Sequence, residues 1–199
     1  MLVQGIKSRP AYQGIVIDLH ARRHIFALEG EGALALLEQA IAPEILARSE
    51  ILHTVGASRE KDHFAALTAL AADICWQAPT IATLLFRLKG SLANATMGTR
   101  LYVAGTEGFI GQAMGLGIDA GMDYRSIVTE HRGSLARRVQ CVHCKGTTDN
   151  VTISPFACSH CGLTLLVRDH YSRRLAAFQG VNIDAEEPGT APEPEDLFS

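Results

Sequence analysis

From residue 24 onward the chain alternates between two kinds of apolar pattern. Short runs of consecutive apolar positions occur at 24–28, 50–56, 72–77, 100–104 and 126–130. Between them lie longer stretches whose apolar residues fall three and four apart. These are Leu34, Leu37, Ile41 and Ile45 within 33–46; Phe64, Leu67 and Leu70 behind a capping Asp62; and Ile81, Leu84, Leu85 and Leu88 within 79–96. A fourth stretch starts at the Gly105–Phe109 turn and runs to about Ala120, where Gly121 ends it. The first pattern predicts buried strands and the second amphipathic helices. Strands and helices in this order predict an α/β fold, a doubly wound parallel five-stranded sheet spanning residues 24–131. Parallel crossovers are right-handed, and strands without a polar face must be covered twice. In segment 1–23 the run Gly14-Ile15-Val16-Ile17-Asp18-Leu19 predicts an edge strand.

Beyond residue 131 this periodicity stops and cysteine spacing takes over. Cys141-Val142-His143-Cys144 and Cys158-Ser159-His160-Cys161-Gly162 flank a short β-type segment, Val151-Thr152-Ile153. Two Cys-x-x-Cys pairs at this separation can bring four thiolates to the corners of a tetrahedron, the geometry of a closed structural zinc site. One pair alone would read equally well as a redox motif. Lys145-Gly146 and Gly162 supply the backbone freedom for the two knuckles. The expected ligands are therefore Cys141, Cys144, Cys158 and Cys161, holding zinc or, as the alternative, one iron. A zinc ribbon over 135–181 follows from this, and a flexible, disordered acidic tail over 182–199. Cys75 lies in Asp73-Ile74-Cys75-Trp76 and reads as a packed core thiol.

Composition constrains the setting. Hydrophobic residues make up 47% of 199, and charge or glycine interrupts every long apolar stretch, so no membrane span is expected. Met1-Leu2-Val3-Gln4-Gly5 lacks the features of a secretory leader, and unpaired thiols at metal spacing favour a reducing cytoplasm. The net charge of −3 hides an asymmetry: six acidic residues and no Lys or Arg follow position 183, leaving the rest near +3. Pro188, Pro192 and Pro194 reinforce the reading of that tail as unstructured, although Leu197-Phe198 is an odd apolar pair to leave in water.

Two glycine-containing turns fall at carboxyl ends of predicted strands, where open α/β sheets bind ligands. Gly30 and Gly32 let backbone N–H groups approach a phosphate at a helix start, but Glu29 and Glu31 set carboxylates beside it. A plain structural turn satisfies the same glycines. Gly105, Glu107 and Gly108 form the second candidate cofactor-binding turn.

Val103-Ala104-Gly105-Thr106-Glu107-Gly108-Phe109, followed by Gly121 and Ile127-Val128-Thr129-Glu130, resembles the pyridine-nucleotide half of ferredoxin-NADP reductase-type flavoproteins. That family places a Cys-Gly-Pro-Glu-type loop here, whereas this chain has Ala104 and Thr106, and no room precedes residue 24 for a flavin barrel. The likeness implies the fold without hydride transfer. The stretch Leu165–Val181, with Glu130-His131-Arg132-Gly133-Ser134 and the two knuckles, resembles the DmmA-like small subunits of bacterial dimethylamine monooxygenase over 101–188. This resemblance implies an accessory subunit of an NADPH-dependent heme monooxygenase that converts dimethylamine to methylamine and formaldehyde. Heme, flavin and NADPH are expected in partner subunits, a heme subunit and a flavin reductase subunit, and no catalytic residue is expected in this chain.

Between Arg132 and Arg174 seven Lys or Arg stand against Asp149 and Asp169. A basic ribbon also suits nucleic acid. Sparse aromatics and a whole-chain pI of about 6.2 make an acidic protein partner the better match. Arg168, His170, Arg173 and Arg174 are the expected docking residues. A one-iron electron carrier and a nucleic-acid-binding ribbon remain the alternatives.

Overall fold

A computed structural model of the protein describes residues 8–56 and 62–199. Met1–Gly5, the segment expected to lack a secretory leader, lies outside them. Two compact units emerge, Tyr12–Gly133 and Ser134–Ser199 with residues 8–11.

The first unit is the parallel sheet. Its strands are β1 (Arg23–Glu29), β2 (Ser49–Thr54), β3 (Ile74–Ala78), β4 (Thr99–Gly105) and β5 (Ile127–His131). They run in the order β3-β2-β1-β4-β5, all parallel, so the order reverses between β1 and β4. Alternate residues serve opposite faces. Ile25, Ala27, Leu52, Leu101 and Val103 meet α4 (Ile81–Ala93) and α5 (Glu107–Asp119) through Leu84, Leu88, Phe109, Ile110 and Ala113. Phe26, Leu28, Ile51, Tyr102 and Ala104 meet α1 (Leu34–Leu37) and α3 (Phe64–Ala69) through Leu36 and Leu67. Both faces are covered, as the doubly wound reading requires.

Two expectations fail in this unit. The helix over 33–46 is broken. A 3₁₀ turn at Gly30–Ala33 leads into α1, and after a gap α2 (Pro43–Leu46) begins. Pro43 has no N–H to continue a helix and cannot tolerate a helical residue before it, so it serves as a new N1 instead. Nor is 14–19 an edge strand. The segment crosses the second face, where Ile15 joins the core. Its backbone bonds go to side chains: Ile15 N–H donates to Glu130 Oε2 at 2.7 Å and Asp18 N–H to Tyr102 Oη at 3.0 Å. Cys75 packs half-buried against the same face, and burial pushes its thiol up.

The second unit is a ribbon of β6 (Arg137–Cys141), β7 (Thr147–Val151), β9 (Phe156–Ala157), β10 (Thr164–Ser172) and β11 (Ala177–Asn182), ordered β7-β6-β11-β10-β9. Strand β8 (Ile153–Ser154) lies between β7 and β9 in the chain. Its small core joins Val139, Phe156, Leu165, Val167 and Phe178 to the cysteines. The acidic tail is not disordered at its far end. Glu195–Asp196 forms β12, antiparallel to β8, and Phe198 is buried in the ribbon core. Of the apolar pair placed after a run of carboxylates, Phe198 is buried and Leu197 stays exposed; burial of the ring and the strand pairing together offset the ordering of the segment.

Candidate metal centre

The four cysteines converge. Cys141 ends β6 and Cys144 follows in its turn; Cys158 and Cys161 form the turn between β9 and β10. The Sγ atoms of Cys141 and Cys161 are 3.9 Å apart, those of Cys144 and Cys158 3.8 Å, and all four lie within 4.8 Å of one another. A metal–sulfur bond of about 2.3 Å in a tetrahedron gives edges of about 3.8 Å. The donor set therefore fits a tetrathiolate ion, and these spacings rule out disulfides, which need sulfurs about 2 Å apart.

Each knuckle is built by the same backbone device. Lys145 N–H donates to Cys141 O at 3.0 Å, and Gly162 N–H to Cys158 O at 2.9 Å. Lys145 and Gly162 both adopt positive φ to close these turns. Gly146 is needed for a different reason from the one its sequence position implied. A Cβ there would come within 2.4 Å of the His160 ring, which lies over it and contacts Thr147 O through Nε2 at 2.9 Å. The His160 side chain thus ties one knuckle to the other from outside.

Electrostatics prepare the cluster for a cation. Burial acts to raise the Cys158 thiol, but N–H groups of His160 and Cys161 and the thiols of Cys161 and Cys144 outweigh it, bringing it down to about 7. Cys161 receives a lowering hydrogen bond from Leu163 N–H, yet burial and the three facing sulfurs push it up to about 12. A bound cation would relieve the mutual repulsion of sulfurs held this close.

The candidate docking residues lie along the β10–β11 hairpin and its connecting turn. Arg168 is half-buried on β10, His170 is exposed beside a β-bulge, and Arg173 and Arg174 are exposed in the connecting turn. Other basic residues are engaged: Arg132 pairs with Glu130 and Glu38, Arg137 with Asp169 at 2.6 Å, and Arg138 with Asp149 at 2.8 Å. Asp169 is thus committed to Arg137.

In the sheet unit Gly30, Gly32, Gly105, Glu107 and Gly108 do surround the carboxyl ends of β1 and β4, but the crevice is already filled. Glu29, 5% exposed, reaches across, and its Oε2 accepts from Thr106 N–H at 2.9 Å and Thr106 Oγ1–H at 2.6 Å. A Cβ on Gly105 would lie 2.8 Å from Glu29, and one on Gly56 2.9 Å. A Cβ on Gly32 would strike Ala104 O at 2.1 Å. At these three glycines the space that a side chain would need is taken by protein atoms. Glu107, nearly buried, accepts from Tyr12 Oη–H at 3.1 Å. An anionic cofactor at the start of α5 would meet the Glu29 carboxylate, so the residues present do not fit a pyrophosphate. Glu29 as a brace was half-legible, since its charge stood out beside the turn; Tyr12 and Arg137 carried no local signal at all.

Comparison with known proteins agrees with this division. A Heme-dependent oxidative N-demethylase delta subunit of Ectopseudomonas mendocina (strain ymp) is 34% identical over 110 residues, 55% of this chain. The match spans 63% of that relative's length. A phthalate dioxygenase reductase, titled a modular structure for electron transfer from pyridine nucleotides to [2Fe-2S], overlays 68% of this chain and 46% of its own at 14% identity, TM-score 0.45. The full-length CYP116B46 of Tepidiphilus thermophilus overlays 67% and 19% at 18% identity, TM-score 0.44. The family description "Dimethylamine monooxygenase subunit DmmA-like" matches as an N-terminal domain over residues 4–127 and as a C-terminal domain over 138–181. With matches over both its sheet and its ribbon, the chain belongs to the DmmA-like family of dimethylamine monooxygenase subunits.

Proposed function

We propose that this chain is the zinc-binding accessory subunit of a multicomponent, NADPH-dependent heme monooxygenase that N-demethylates dimethylamine to methylamine and formaldehyde. The observation that carries the reading is the four-sulfur tetrahedron within a chain of this family. Cys141, Cys144, Cys158 and Cys161 would all be ligands, leaving no position for substrate, so the ion's chemistry is that of a structural cross-link. The ribbon core is small, and metal binding of order ~10 kcal/mol is what such modules need to fold. Heme, flavin and NADPH belong to a heme subunit and a flavin reductase subunit in the cytoplasm. The nucleotide-domain-like sheet is a degenerate scaffold, supported by the Glu29 carboxylate in its crevice. Arg168, His170, Arg173 and Arg174 dock the ribbon on acidic surfaces of those partners.

The test is elemental analysis and visible absorption of the purified chain, alone and with its partner subunits. One zinc per chain and no absorption above 400 nm is the expected result. A coloured protein with one iron would instead make it an electron carrier, because ferric tetrathiolates absorb visible light. Cys158→Ser should lose the metal and render the ribbon protease-sensitive while the sheet unit stays resistant. A ribbon still protected in that variant would overturn the structural role.

A further inference from the structure

Phe198 is held in a way that the rest of its segment is not. Residues 185–190 and 192–197 are all exposed, whereas Phe198 is 6% exposed. Its ring lies 4.1 Å from the Arg137 guanidinium carbon, whose other neighbour is the Phe178 ring at 4.0 Å. Arg137 is itself 3% exposed and fixed by Asp169 at 2.6 Å, so the slot floor is rigid and its charge compensated. Backbone pairing sets the approach. Glu195 and Asp196 oppose Ser154 and Ile153, and the N–H groups of Leu197 and Phe198 both donate to Thr152 O, at 3.0 and 2.9 Å. Strand β8 pairs with nothing else in its sheet among the described residues. One anchor ring and one short strand, joined by an exposed segment carrying Pro188, Pro192 and Pro194, make a strap and not part of the core.

We infer that the β8 edge and the Arg137–Phe178 slot form a recognition site for an extended peptide that carries a phenylalanine, which the chain's own residues 195–198 occupy as a built-in competitor. This is strand addition with one side-chain pocket: main-chain bonds give affinity and the aromatic–guanidinium contact gives specificity. The occupant to be admitted belongs to a different subunit, and here the inference rests on the multicomponent reading. A second copy of this chain offers only the same sequence, which must compete with a tether that holds the cis strap at an effective concentration in the millimolar range. A different protein, brought in by its own contacts, escapes that disadvantage. Leu197, 45% exposed, is not read by the slot.

The experiment is fluorescence anisotropy with a labelled peptide of residues 191–199, added to the full metal-loaded chain. The wild type should bind it weakly, and Phe198→Ala at least tenfold more tightly, because the strap has lost its anchor. Asp196→Pro, which breaks the strand pairing and leaves the ring, should also bind more tightly than wild type. Leu197→Ala should match wild type, and a peptide with alanine at its phenylalanine position should bind none of them. Equal binding by wild type and both strap variants, or binding indifferent to the peptide's phenylalanine, would overturn the site. Light scattering showing a concentration-dependent dimer that Phe198→Ala abolishes would overturn the choice of a different subunit. Because this readout needs no turnover, failure of the site and failure of the enzymatic reading are separable.

Discussion

His24 and His53 are fully buried, and their burial decides how the sheet unit answers to acid. His53 Nδ1 lies 4.0 Å from Asp62 Oδ1, and His24 stacks on Phe26 and Tyr102 with its Nδ1 3.3 Å from Tyr102 Oη. Desolvation, first among several causes, lowers both imidazoles below the ordinary 6.5. An unfolded chain takes up protons at these sites near that value while the folded chain still refuses them. Stability therefore rises with pH across the interval between the lowered and ordinary values, and falls as pH drops from about 6.5. Neutral histidines contribute no such penalty above it. The expected outcome is a melting temperature that is flat from pH 8 to 7 and declines from pH 6.5 to 5. His53→Leu should flatten that decline, since an apolar side chain of similar volume has no proton to gain. The same slope in the variant and the parent would show that His53 is not a source of the acid response.

At the scale of the element, glycines separate close packing from open helix. Gly32 and Gly90 look alike in sequence, but a Cβ at Gly32 would meet the Ala104 carbonyl oxygen at 2.1 Å, whereas nothing lies within 4 Å of one at Gly90. Gly32→Ala must push the loop after β1 away from β4, and should cost several kcal/mol, on the order of 3. Gly90→Ala, inside α4, should stabilise by about 0.5–1 kcal/mol through helix propensity. Chemical denaturation of the two variants checks both signs. The contrast also shows what could be read beforehand. The succession of strands and helices along the chain was legible because apolar periodicity is local, and the cysteine cluster because ligand spacing is nearly so. The break between α1 and α2 runs against the helix that the 33–46 spacing predicts, because periodicity outweighed the local signal of Pro43. What stayed hidden depends on distant partners. Glu29 bonds to Thr106, Ile15 to Glu130 and Phe198 to the face of Arg137, each pair more than 60 residues apart. No pattern within a window of sequence records such a meeting.

For the molecule as a whole, the question is how the basic residues of the ribbon region are used. Of the seven basic residues that made the ribbon region look suited to polyanions, Arg132, Arg137 and Arg138 are spent on ion pairs within the protein. Lys145 donates to the carbonyl of Val142 in its own knuckle. Arg168, Arg173 and Arg174 stand on the β10–β11 hairpin, a set too small for the multiple phosphate contacts that nucleic-acid affinity needs. Such a patch suits a few carboxylates gripped by planar guanidinium groups. The Arg173–Arg174 turn lies outside the ribbon core, so under the docking proposal changing it should affect association more than folding. Arg173→Glu with Arg174→Glu should shift the denaturation free energy by no more than about 0.5 kcal/mol per site. Recovery of partner subunits in co-purification should fall at least tenfold, since two attractive contacts become repulsive. Raising salt should weaken assembly of the wild type toward the level of the variant, because these are solvent-exposed charges. Full recovery of partners by the double variant at low salt would move the docking surface elsewhere on the chain.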